Sequence, residues 1–209
     1  MKIYCGVTVL SQKEFLFRIN EIGKLTDGIH IDFGDGKFVD NKTLSVNDLE
    51  LPKHVFCEAH LMIEEPEKYL NLYSERGFEK VIVHLEALKK PDFIYALEIQ
   101  NQVHSLGMKF GLTWSPKLNV EYSDDLKLFD SVTVMTVVPG YSHGAFISEQ
   151  LNVIKSLRSH YPEIVIEVDG HVNDITIKEI HAAGASEVVS TSYLSGEDME
   201  DKYLLLKNG

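Results

Sequence analysis

The chain has 209 residues, 44% of them hydrophobic and 25% charged, with a formal net charge of −12. That length supports one substantial core, and no shift in composition marks a second domain, so 1–209 reads as one domain. The acidic balance argues against a surface that tracks nucleic-acid phosphates, and no apolar run reaches membrane-spanning length.

Eight short runs rich in β-branched residues recur along the chain. They are 3–10, 28–33, 55–62, 80–85, 109–114, 131–138, 164–169 and 186–191. The first is an apolar run broken by Ser11-Gln12-Lys13-Glu14, too short for a secretory signal with a cleavage site. Cys5 and Cys57 sit inside apolar runs and read as small buried hydrophobes, with no disulfide framework. A soluble, cytoplasmic protein is the expectation.

Stretches with helical spacing lie between the runs. Residues 66–76 open on Pro66 and are followed by Gly77. Residues 91–106 begin Pro-Asp and stop before Gly107. Residues 146–160 carry a stripe of Phe146, Leu151, Ile154 and Leu157, and 173–183 run from Asn-Asp to Gly184. Strands alternating with helices argue for a parallel sheet. Eight repeats without a switch in pattern favour a closed (β/α)₈ TIM barrel over an open sheet.

Active sites of such barrels lie where strands end and the following loops begin. The polar residues fall there. His30 and Asp32 end the second run, alternating with Ile29, Ile31 and Phe33. Side chains two apart on a strand share a face, here with Cα atoms about 7 Å apart. His60, His84 and Asp169 end the third, fourth and seventh runs, and the loop after the sixth is PGYSHGAF, 139–146. Imidazoles and carboxylates at such positions suit a divalent metal. A lone surface His and a solvated Asp would be the plainer account of His30 and Asp32 by themselves.

Together these segments resemble the ribulose-phosphate 3-epimerase family over nearly the whole chain. HIDFGDGKFVDN (30–41) resembles the family's HVDVMDGHFVPN, and EAHLM (58–62) its DVHLM. VIVHLEA (81–87) resembles VHAEA, SVTVMTVVPGY (131–141) resembles VLVMTVNPGF, and IEVDG (166–170) resembles IEVDGG. The resemblance implies a barrel enzyme that inverts the carbon next to a ketone, with D-ribulose 5-phosphate and D-xylulose 5-phosphate as the family pair. It implies one divalent metal (zinc, iron(II) or manganese) on His30, Asp32, His60 and Asp169. Asp32 and Asp169 would also serve as acid and base on opposite faces of the substrate. Met62 and Met135 match methionines lining the metal cavity, and Thr8 stands in the place of a substrate-binding Ser.

The departures cluster at the expected phosphate end. The family holds phosphate with backbone amides of three glycine-rich pieces. Gly140, Gly144 and Gly170 remain. Ser142-His143 replace Gly-Gly after strand six, His171 replaces a Gly after strand seven, and Thr191-Ser192 replace Gly-Ser after strand eight. Gly34 stands in place of a cavity methionine, which is expected to open room near the metal. Two readings stay open: side chains hold the phosphate instead of glycine amides, or the far end of the substrate differs. The same chemistry on another ketose, phosphorylated or not, and a non-catalytic sugar-binding paralogue remain alternatives. His84 reads as a buried supporting residue, and Trp114 as a pocket wall or a core residue. The expected partner is a small sugar or sugar phosphate, with no nucleic acid and no membrane, and the chain is expected to form a homo-oligomer.

Overall fold

The strands are buried along nearly their whole length, as parallel strands must be when helices cover the sheet. A computed structural model describes residues 1–8, 11–22, 25–118, 122–140, 144–196 and 198–209. In it β1 (Lys2–Thr8), β2 (Gly28–Gly34), β3 (Cys57–Met62) and β4 (Lys80–His84) are followed by β5 (Lys109–Trp114), β6 (Ser131–Met135), β7 (Val165–Asp169) and β8 (Glu187–Ser190). The strands pair in chain order, all parallel, and β8 returns to β1 to close the barrel. The expected (β/α)₈ class is therefore the observed one.

The helices are α1 (Gln12–Ile22), α2 (Leu70–Glu75), α3 (Phe93–Ser105), α4 (Gln150–His160), α5 (Thr176–Ala183) and α6 (Met199–Asn208). Two expected helical layers are reduced. Among the described residues only 3₁₀ turns, Val46–Asp48 and Asp124–Leu128, occupy the crossovers after β2 and β5. The stretch 66–76 also divides, into a 3₁₀ turn Pro66–Lys68 and the short α2. Asp92 starts α3 by accepting from the Tyr95 amide at 2.8 Å, the N-cap its Pro-Asp opening announced. The α4 helix starts at Gln150, so Phe146 falls in the preceding loop.

Period-2 alternation splits the strands into two populations. Ile29, Ile31, Cys57, Ala59, Leu61, Val81, Val83, Ile166 and Val168 join the apolar core between sheet and helices. The opposite set faces the barrel's interior, and much of it is polar. His30, Asp32, Glu58, His60, Lys80, His84, Thr113, Thr133, Glu167 and Asp169 are all buried. Hydrophobic stabilisation thus comes from the outer layer, and the interior is left to polar chemistry.

Candidate active site and metal centre

Sheet register assembles the site. Thr8 pairs with Asp32 across β1 and β2, Asp32 with His60 across β2 and β3, and Met135 with Asp169 across β6 and β7. His30, Asp32, His60 and Asp169 each bring one ligand atom within 4.8 Å of the others'. His60 Nδ1 lies 3.1 Å from Asp32 Oδ1 and 3.6 Å from Asp169 Oδ2. His30 Nε2 lies 3.4 Å from Asp32 Oδ1.

The two imidazoles are held from behind. His30 Nδ1 is 2.7 Å from Glu58 Oε1. A carboxylate accepts, so Nδ1 donates, and a neutral ring keeps its lone pair on Nε2. That nitrogen is buried without a hydrogen-bond partner and belongs to the donor cluster. His60 Nε2 is 2.9 Å from His84 Nε2, and His84 Nδ1 is 3.4 Å from Glu86 Oε1. Burial pushes His84 down to about 4, so the neutral ring can accept from His60 while its own Nδ1–H faces Glu86. His84 thus supports a ring of the cluster, as its sequence position suggested, and stands outside the cluster itself.

The electrostatics call for a cation. Burial pushes Asp32 up, but the imidazoles of His30 and His60 beside it override that and hold Asp32 well below the usual carboxylate range. His30 is driven down by burial and more strongly up by Asp32 and Glu58, so it ends well above its ordinary value. Burial, reinforced by the charges of Asp32 and Glu167, pushes Asp169 up to about 7. Protons on His30 and Asp169 thus supply the positive charge that a metal would bring. Two imidazole nitrogens and two carboxylates around one point, one nitrogen otherwise orphaned, fit zinc, iron(II) or manganese.

A pocket opens from this cluster toward the ends of β1, β7 and β8. Its lining includes Thr8, Asp32, Met62, Met135, Gly140, Asp169, Gly170, His171, Thr191 and Ser192, ten of the residues singled out from sequence. Thr8 Oγ1 donates to Asp32 Oδ2 at 3.3 Å. Gly170 has φ +123°, and a β-carbon there would lie 2.9 Å from the Val137 amide nitrogen. No Lys or Arg lines the pocket among the described residues. Ser142 and His143 lie outside the described residues. Gly144 does not line the pocket, and its carbonyl oxygen receives His171 Nδ1–H at 3.1 Å.

Gly34 corrects one expectation. It opens no room, because a β-carbon there would lie 2.7 Å from the Asn41 carbonyl oxygen and 3.0 Å from Val39 Cγ2. The loop after β2 has folded into the space. The same loop brings Asn41 into the pocket wall, a residue that sequence reasoning missed although it ends the quoted HIDFGDGKFVDN motif. Trp114 is buried and stacks on Tyr122 with ring centroids 5.1 Å apart, away from this pocket's lining.

Comparison with known proteins follows this geometry. Residues 7–195 match the model of the ribulose-phosphate 3 epimerase family. A protein of Eremothecium gossypii named ribulose-phosphate 3-epimerase is 31% identical over 86% of this chain and 80% of its own length. One from Mycobacterium bovis with that name is 32% identical over 82% of this chain and 76% of its own. One from Schizosaccharomyces pombe is 30% identical over 90% and 86%. Among solved structures, 3-hexulose-6-phosphate synthase from Salmonella typhimurium superposes with a TM-score of 0.74 at 16% identity, covering 100% of this chain and 97% of that one. Phosphoribosyl anthranilate isomerase from Thermotoga maritima gives 0.63 at 16%, covering 99% and 97%. At such identities those two likenesses speak to the barrel alone. The match along most of its length makes this chain a member of the ribulose-phosphate 3-epimerase family, an epimerase within the isomerases.

Proposed function

We propose that the chain is a metal-dependent epimerase of ketose phosphates, inverting the carbon next to the ketone. Its nearest reaction is the interconversion of D-ribulose 5-phosphate and D-xylulose 5-phosphate, after the name its relatives carry. One observation carries this reading. In barrel order β1 and β8 separate β2 from β7, so Asp32 and Asp169 border the pocket from different strands, with Thr8, Thr191 and Ser192 also on its lining. A sugar carbon in that space has a carboxylate on either side.

The residues divide the work as follows. A divalent metal held by His30, Asp32, His60 and Asp169 would supply Lewis acidity to the negative charge that develops on the ketone oxygen. One aspartate removes the proton from one face of the carbon, and the other returns a proton to the opposite face. The roles exchange when the reaction runs backward. Thr8 orients Asp32 through its hydroxyl. Met62 and Met135, both buried, keep water from the reacting carbon.

A different ketose at the far end is the second reading. It is favoured by a pocket whose described lining offers His171, Thr191 and Ser192 and no fixed cation. Solvent-deuterium exchange on phosphorylated and free ketoses decides between the two. On the preferred sugar, Asp32→Asn or Asp169→Asn should lower epimerisation by about two to four decades, the usual worth of a positioned acid or base. A variant that keeps its metal should still wash deuterium into one epimer only. Full epimerisation by either variant would remove that aspartate from the mechanism.

A further inference from the structure

Beneath the four donors lies a charged cluster that the proposed chemistry does not use. Lys80 on β4 is buried to 5% side-chain exposure. Its Nζ lies 2.7 Å from Glu167 Oε2 on β7 and 3.0 Å from Glu58 Oε2 on β3. Glu187 Oε2 on β8 is 4.0 Å away. The other oxygens of the first two acids face upward partners: Glu58 Oε1 takes His30 Nδ1 at 2.7 Å, and Glu167 Oε1 takes the Thr133 hydroxyl at 3.0 Å. The path therefore runs from Lys80 to Glu58 to His30.

We propose that Lys80 is a positioning residue for the metal centre, anchoring the carboxylate that holds His30 and so reserving His30 Nε2 for the metal. The proposal rests on the reading of His30, Asp32, His60 and Asp169 as that centre. Two considerations support it. His30, Glu58 and Glu167 alone bring ligand atoms within 4.8 Å of one another, a set that would itself suit a cation. Lys80 Nζ sits between the two carboxylates of that set. The chain thus supplies a fixed cation of its own to the lower position, and the imidazole shared by both sets is turned toward the upper one. Moreover, a buried ion pair seldom stabilises a fold better than apolar residues of the same volume. A lysine spent here is better explained by orientation than by stability. Partners behind a ligand imidazole set its tautomer and ring angle, and their loss weakens metal binding about 10- to 100-fold.

Lys80→Met keeps the chain length and removes the charge. Metal-depleted protein would be titrated with zinc or manganese against a competing chelator. The expected result is about 10- to 100-fold weaker metal binding, with kcat recovering at saturating metal and the substrate KM unchanged. A lysine that merely fills the barrel would lower the melting temperature and leave the metal affinity of the folded protein unchanged, and that outcome overturns the proposal. If Lys80→Met alone does not fold, the charge-balanced double variant Lys80→Met/Glu167→Leu takes its place. It retains Glu58 and His30 but not the anchor, so the same loss is expected, and wild-type affinity in it overturns the proposal equally. A wild-type chain that takes up no metal would instead overturn the metal centre, and this role with it.

Discussion

His171 has φ +52°, a conformation that costs an L-residue other than Gly, Asn or Asp roughly 1–2 kcal/mol. Local contacts hold it there. Its Nδ1 donates to the Gly144 carbonyl, and its own carbonyl receives the Thr176 hydroxyl at 2.8 Å and the Asn173 amide at 3.3 Å. The residue lines the pocket immediately after Gly170. Glycine would adopt this backbone without strain and let an anion approach the amides closely. His171→Gly is therefore expected to raise kcat/KM on D-ribulose 5-phosphate about tenfold, the worth of one charge-assisted hydrogen bond. A fall of similar size would show that the imidazole grips the natural substrate, and would favour the second reading of the sugar. The position was legible in the sequence because it breaks a glycine pair. Its left-handed backbone was not, since nothing in a His codon neighbourhood signals a positive φ.

The strands were readable and the helices only partly so, for one physical reason. Parallel strands buried on both faces appear as continuous β-branched runs, and seven of the eight expected runs end within three residues of the observed strand. The run 3–10 is described only as far as Thr8. The four helical stretches read from spacing left the crossovers after β2 and β5 unassigned, and among the described residues these hold only 3₁₀ turns. The inner network was also missed, although its signal was present. Glu58 precedes His60 by two, Glu167 precedes Asp169 by two, and Lys80 precedes His84 by four on one strand face. Extending the alternation of His30 and Asp32 to the neighbouring strands would have placed all of them inside the barrel. Element ends were set by special residues. Gly184 closes α5 with φ +107°, and its amide donates to His181 and Ile180 carbonyls. A β-carbon there would lie 2.7 Å from Arg158 Cγ, whose guanidinium donates to the Gly184 carbonyl at 2.9 Å. Gly184→Ala should thus cost about 1–3 kcal/mol from backbone strain and the displaced arginine. Denaturant unfolding should show it as a lower midpoint with an unchanged slope, and an unchanged midpoint would mean that α5 can end otherwise.

At the scale of the molecule, a chain of net charge −12 folds an apolar layer around a polar interior. Two aspartates meet at the top of that interior, and three glutamates approach Lys80 at the bottom. A metal binding only the native state stabilises it by mass action, about 2.7 kcal/mol at a hundredfold excess over its dissociation constant. For a chain of this length each kcal/mol shifts the melting temperature by about 2–4 °C. Stripping the metal should therefore lower melting by roughly 5–10 °C, and restoring near-stoichiometric metal should reverse the shift. The pH dependence sharpens the test. In the metal-free fold, His30 and Asp169 hold protons more tightly than in the unfolded chain. Their contribution is full below the unfolded values and is lost as pH rises through the folded ones. Asp32, held low, is already ionised throughout the neutral range and adds no slope there. The metal-free protein should therefore weaken as pH rises through about 7, where Asp169 gives up its proton, and further as His30 gives up its own above that. The loaded protein should run the other way, because protons compete with the metal for the same imidazoles and carboxylates. Its advantage should shrink as pH falls and widen as pH rises. Melting curves that coincide with and without chelator across this range would mean that no cation sits between Asp32 and Asp169.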